Sequence, residues 1–113
     1  MPTSSHSAIL RVAPDHPSLA GHFPGQPVVP GVLLLDHVID AAQAWLGQPV
    51  SVRSLPQVKF VAPLLPDEDA HLELSLADSN HGAELRELRF VIRRDAAIVA
   101  QGILNLAFQG PAD

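Results

Sequence analysis

The chain has no cysteine and no tyrosine, and only one tryptophan and one methionine. Without cysteine there is no disulfide, no thiolate metal ligand and no cysteine nucleophile. Long apolar runs are missing too: prolines, glycines or charges interrupt each hydrophobic stretch before it could span a bilayer. The opening residues Met1-Pro2-Thr3-Ser4-Ser5-His6 have neither the basic nor the apolar region of a secretory leader, so the expected location is the cytoplasm. Positive charge is scarce. Seven Lys and Arg stand against 12 Asp and Glu, and a net charge of −5 argues against a nucleic-acid partner, which calls for a basic face.

What the chain does have is apolar residues and proline. At 113 residues it makes one domain, 1–113, with room for a single modest core. A hydrophobic content of 47% and a mean hydropathy of +0.19 leave apolar surface beyond what that core absorbs, which points to a homodimer or higher homo-oligomer. Residues 1–6 are polar and are expected to fray; Ser7 to Val12 has strand character and is closed by Pro14. Pro14, Pro17, Pro24, Pro27 and Pro30 exclude regular structure up to residue 30, and a loop of that length inside a small domain is a site candidate.

Gly31 to Leu46 contains neither proline nor interior glycine and lies between Pro30 and Gly47, which predicts a helix. Its apolar residues cover most of the circumference, so burial on nearly all sides is expected, with Asp36, Asp40 and Gln43 as one narrow polar stripe. Strands are predicted over Val50–Val61, interrupted at Pro56, and over Ala70–Ala77, Ala83–Arg93 and Ala97–Phe108. Ser79-Asn80-His81-Gly82 and Arg94-Asp95-Ala96 supply hairpin turns. One strand, one helix and a meander of strands is an α+β fold with an antiparallel sheet.

The loop and the helix meet at His22-Phe-Pro-Gly-Gln-Pro-Val-Val-Pro-Gly-Val-Leu-Leu-Leu-Asp36. His22 and Asp36 can both move protons. Between them Gly31 sets a backbone N–H at the helix head, where the first amides lack intrahelical acceptors and the macrodipole favours negative charge. A base, an acid and an oxyanion donor thus bracket one junction.

That stretch resembles the signature of the bacterial 3-hydroxyacyl-[acyl-carrier-protein] dehydratases of the hotdog fold, with the acidic residue 14 positions after the histidine. Val58-Lys59-Phe60-Val61-Ala62-Pro63-Leu64-Leu65-Pro66-Asp67 is similar to a second motif of that family. The resemblance implies an antiparallel sheet wrapped around one long central helix, in protomers that pair edge to edge. It implies dehydration of a 3-hydroxyacyl thioester carried on phosphopantetheine, from acyl carrier protein or coenzyme A, with no other cofactor and no metal. His22 would take the C2 proton, held in one tautomer by the Val28 carbonyl, and Asp36 would protonate the leaving hydroxyl. The Gly31 N–H would hold the thioester oxygen, and Phe23, Pro30 and Phe60 would line the substrate. For Asp36 to keep its proton near neutral pH, it should sit among apolar neighbours such as Leu33, Leu35 and Ile39.

The chain departs from the family at three points. Asp36 replaces the glutamate of the widespread branch, Asp67 stands where glycine is common, and no tyrosine can gate a tunnel, a part open to Phe60 or Phe90. Two other functions fit the same residues: a hotdog thioesterase, and an acyl-binding module without catalysis. His16, His22, His37 and Asp36 match no familiar metal-ligand spacing. His6, His71 and His81 are expected on the surface. Arg53, Lys59, Arg93 and Arg94 offer either a basic patch for an acidic carrier or solvated strand faces.

Overall fold

The computed structural model describes residues 4–12, 29–78 and 84–108. They form a strand β1 (Ser4–Leu10), a helix α1 (Gly31–Leu46) and strands β2 (Val50–Phe60), β3 (Ala70–Asp78), β4 (Leu85–Arg94) and β5 (Ala97–Phe108). The strands make one antiparallel sheet in the order β1-β3-β4-β5-β2, so β1 and β2 are its edges.

Alternation along the strands sets the faces. Leu72 and Leu74 of β3, Leu88, Phe90 and Ile92 of β4, and Leu104 and Leu106 of β5 are all nearly inaccessible and face α1 through its buried residues Leu33, Leu34, Val38 and Ala42. The helix begins after Pro30, whose carbonyl accepts from the amides of Leu33 and Leu34, and ends at Gly47 in the left-handed conformation (φ 72°). Gln43 Oε1 accepts from the Val50 amide at 3.1 Å and joins the helix end to β2.

The helix and β5 have the bounds expected from the sequence, and β4 and β5 are joined by a tight turn with Asp95 at φ 55°. Other expectations need correction. β1 runs from Ser4 rather than Ser7, because pairing of Ser4, Ser5 and His6 with Leu76, Ser75 and Leu74 outweighs their polar character. β2 continues through Pro56, its register shifting between Val52 and Ser54 and again between Ser54 and Gln57; at a sheet edge the missing proline N–H breaks no ladder. The helix is not buried on nearly all sides: the sheet covers one side, and Val32, Asp36, Asp40 and Ala44 are exposed on the other. His6 is half-buried rather than on the surface and stacks on Trp45 with centroids 5.5 Å apart, while His71 is exposed as expected. The turn at Ser79-Asn80-His81-Gly82 lies outside the described residues.

The edge strand depends on one glycine. A Cβ at Gly102 would lie 2.5 Å from the Gln57 carbonyl oxygen and 3.0 Å from both the Phe90 ring and the Val58 Cα. Two of these neighbours are backbone of β2 and cannot rotate away. Gly102→Ala is therefore expected to destabilise the protein by about 1–3 kcal/mol, as overpacked cores do, seen as a lower urea midpoint at fixed protein concentration. An unchanged midpoint would show that β2 does not approach this closely.

Candidate active site

Three segments meet at the amino end of α1. Val29 and Pro30 lead into the helix, and the loop from Val61 to Asp69 follows β2. Val29 N donates to Leu64 O at 2.9 Å, and the amides of Val61 and Ala62 both donate to Val99 O, at 2.8 and 3.2 Å. The loop is thus tied to β5 on one side and to the helix head on the other. Among the described residues, the amides of Gly31 and Val32 have no backbone acceptor, as the first turn of a helix requires.

The helix head adjoins a cleft of about 600 Å³ lined, among the described residues, by Val29, Gly31, Val32, Leu34, Phe60, Val61, Ala62, Pro63 and Leu64. The side chains of these described residues are all apolar. Leu34 and Leu64 are buried at its base, whereas Val32, Phe60 and Val61 are 69%, 52% and 58% exposed around it. Phe60 points the end of its ring at Gly31: a Cβ there would lie 2.8–3.0 Å from three ring carbons. Glycine at the helix head therefore leaves room for Phe60 as well as for an approaching ligand.

Asp36 is exposed and does not line the cleft. It lies one helical turn beyond Val32 on the outward face, while Leu33 turns into the core. The apolar surroundings expected for Asp36 are thus not provided by the described residues of the single chain. His22, Phe23 and Val28 lie outside the described residues. Of the residues proposed from the sequence, the structure brings Gly31 and Phe60 into contact, places Pro30 immediately before them as the helix cap, and sets Asp36 nearby on the same helix.

The four cations singled out in the sequence divide into two kinds. Arg93 pairs with Glu73 at 3.4 Å, and Arg94 with Glu68 at 3.2 Å. Arg53 and Lys59 are exposed on β2 and form no ion pair among the described residues. Arg11 pairs with Asp69 at 2.6 Å and more loosely with Asp67 at 3.6 Å. Its pKa is raised by the Asp69 hydrogen bond and by the charges of Asp69 and Asp67, so this cation persists at any working pH.

An antiparallel sheet folded over one side of a single long helix, with an apolar cleft at the helix head, defines a hotdog-fold protein. A probable thioesterase from Bartonella henselae shares that fold, with a TM-score of 0.70 over 94% of this chain and 90% of its own at 14% identity, a likeness of fold alone. A family model described as ApeI-like, ApeI dehydratase, matches residues 2–103, and the chain belongs to that family of hotdog dehydratases. It is similar to a chain of the dehydratase heterocomplex ApeI:P from Xenorhabdus doucetiae, at 31% identity and a TM-score of 0.66 over 91% of this chain and 87% of that one. The 3-hydroxyacyl-[acyl-carrier-protein] dehydratase FabZ of Symbiobacterium thermophilum is 33% identical over 82 residues, 66% of this chain and 58% of the relative. The chain spans about three fifths of the length of such curated relatives.

The Gly31–Phe60 contact makes a thermodynamic prediction. Gly31 is helical, so alanine there gains helix propensity of about 0.5–1 kcal/mol once the ring is removed. In a double-mutant cycle, Gly31→Ala should stabilise the Phe60→Ala background and destabilise the native one, with a coupling above about 0.5 kcal/mol. Additive effects would show that ring and glycine do not touch.

Proposed function

We propose that this chain dehydrates 3-hydroxyacyl thioesters to trans-2-enoyl thioesters, in the cytoplasm, with the acyl group in the cleft at the head of α1. The observation that carries this reading is an apolar cleft lined in part by Gly31 at the head of α1, in a chain of a dehydratase family. His22 takes the C2 proton, and the electron pair left behind develops as an enolate on the thioester oxygen. The Gly31 N–H and the positive end of the helix hold that oxygen. The C3–O bond then breaks as Asp36 gives its proton to the departing hydroxyl, so the products are water and the C2=C3 double bond. The reaction leaves a protonated histidine and an ionised aspartate, and net return of one proton from His22 to Asp36 through solvent resets both for the next turnover. The Val28 carbonyl keeps His22 in the productive tautomer, and Phe23, Pro30 and Phe60 bound the acyl group.

The same reading assigns a partner to the bare side of the helix. Asp36 is exposed on that side, and a second chain would enclose it. Val32, Leu55, Phe60, Val61 and Leu65 are large apolar residues 44–69% exposed on this side of α1, on the edge strand and in the loop that follows it. A second hotdog chain paired along the β2 edge would cover them, and a homodimer is the simplest case. The thioester is carried by acyl carrier protein or coenzyme A; Arg53 and Lys59 on β2 are the cations free to meet its phosphate.

Interconversion of a short 2-enoyl thioester and its 3-hydroxy form tests the chemistry. His22→Ala and Asp36→Asn should each slow it by about 10²-fold or more while folding and association persist, the scale of a lost general acid or base. Activity retained in both variants would remove these residues from the mechanism. Free thiol released without enoyl formation would indicate a thioesterase, and acyl binding without turnover a binding module.

Association is tested by the mass of the protein purified alone, measured beside its activity. An active dimer is the expected result. An active monomer would refute the role given to the partner, and an inactive monomer that gains activity with a related hotdog chain would indicate a heterocomplex like that from Xenorhabdus.

A further inference from the structure

We infer that Arg94, acting with Glu68, is a positioning residue that holds the wall of the acyl cleft; the inference rests on the reading that an acyl group occupies that cleft. Pro63 and Leu64 form this wall, in a loop with little backbone bonding of its own. Pro63 and Pro66 have no N–H to donate, and the bond from Glu68 N to Leu65 O is long at 3.3 Å. Backbone bonds tie the loop outward, to Val99, to Val29 and, from Asp67 N at 2.7 Å, to Val12 O, and side chains brace the turn between them. Arg94 Nη1, at the end of β4, donates to Pro63 O at 2.8 Å and to Glu68 Oε1 at 3.2 Å. The same Glu68 oxygen accepts the Leu65 amide at 2.9 Å. One guanidinium and one carboxylate therefore span the turn from residue 63 to residue 68.

The next bond outward connects this clamp to the helix head. Leu64, between the two clamped positions Pro63 and Leu65, accepts from Val29 N at 2.9 Å, two residues before Gly31. A loosened loop would shift the Pro63–Leu64 wall and alter the fit of the acyl group against it, while Gly31 keeps its place in the helix. The clamp itself touches no reacting atom. The pair is 31% and 33% exposed, and partly solvated ion pairs of this kind add little to global stability, so its loss should be felt in the cleft more than in the fold.

The test measures KM and kcat on a short 2-enoyl coenzyme A thioester, and the Kd of S-butyl coenzyme A, whose thioether cannot react. Arg94→Ala and Glu68→Ala should raise KM and Kd about tenfold with kcat held within about twofold, the pattern of lost ground-state binding. Arg94→Lys, which keeps a donor for the Pro63 carbonyl, and Glu68→Gln, which keeps an acceptor for the Leu65 amide, should recover most of it. Unchanged KM and Kd in folded alanine variants, or a loss confined to kcat, would overturn the inference. Should an alanine variant fail to fold, Arg94→Gln is judged in its place, with unchanged KM and Kd again overturning it. Native protein that binds S-butyl coenzyme A in an Arg94-dependent way without turning over the enoyl thioester would sink the dehydratase reading and keep this one. Turnover and binding indifferent to Arg94 would do the reverse, and a native protein that neither binds nor reacts would remove both.

Discussion

The hydrogen bond from Val29 N to Leu64 O joins the two halves of the candidate site. On one side of it the chain passes through Pro30, whose fixed φ and missing donor suit a helix entrance, and reaches the bare amides of Gly31 and Val32. On the other side it turns through a proline-punctuated loop that leaves the sheet at Phe60. Without this bond the helix head and the apolar wall would be set by separate elements. With it, Gly31, Phe60 and Leu64 form one rigid corner.

The same architecture explains why the molecule has a bare side. The sheet folds over one side of α1, so Leu33, Leu34, Val38 and Ala42 go inward and Val32, Asp36 and Asp40 stay out. The edge strand β2 is shaped by this arrangement. Its register shifts beside Pro56, Gly102 admits its backbone toward β5, and Leu55 is left half-exposed. A bulge and a proline protect an open edge from indiscriminate pairing while leaving its ends free to pair.

Much of this was legible in the sequence where a strong local signal agreed with the tertiary outcome. Pro30 and Gly47 delimit α1, and the run from Ala97 to Phe108 makes β5, because boundary chemistry and burial point the same way there. The start of β1 was not legible, since Ser4, Ser5 and His6 are polar and become a strand through their pairing with β3. Pro56 signalled a break that an edge position forgives. The helix circumference was misleading for a similar reason: apolar residues show that a surface wants cover, not whether the same chain provides it. Arg94 gave no signal of its contact with Pro63, because that contact joins positions 31 residues apart through a backbone oxygen.

On the proposed dehydratase reading, the exposure of Asp36 separates what folding supplies from what association would supply. The chain alone builds the apolar wall and the corner of Gly31, Phe60 and Leu64, both of which need only backbone and hydrocarbon. A 113-residue chain that also buried the outer face of its helix would need a second layer of structure on that side. On the proposed dehydratase reading, leaving Val32 and Asp36 exposed would let a partner chain provide that layer and would couple the last step of assembly to association rather than to folding.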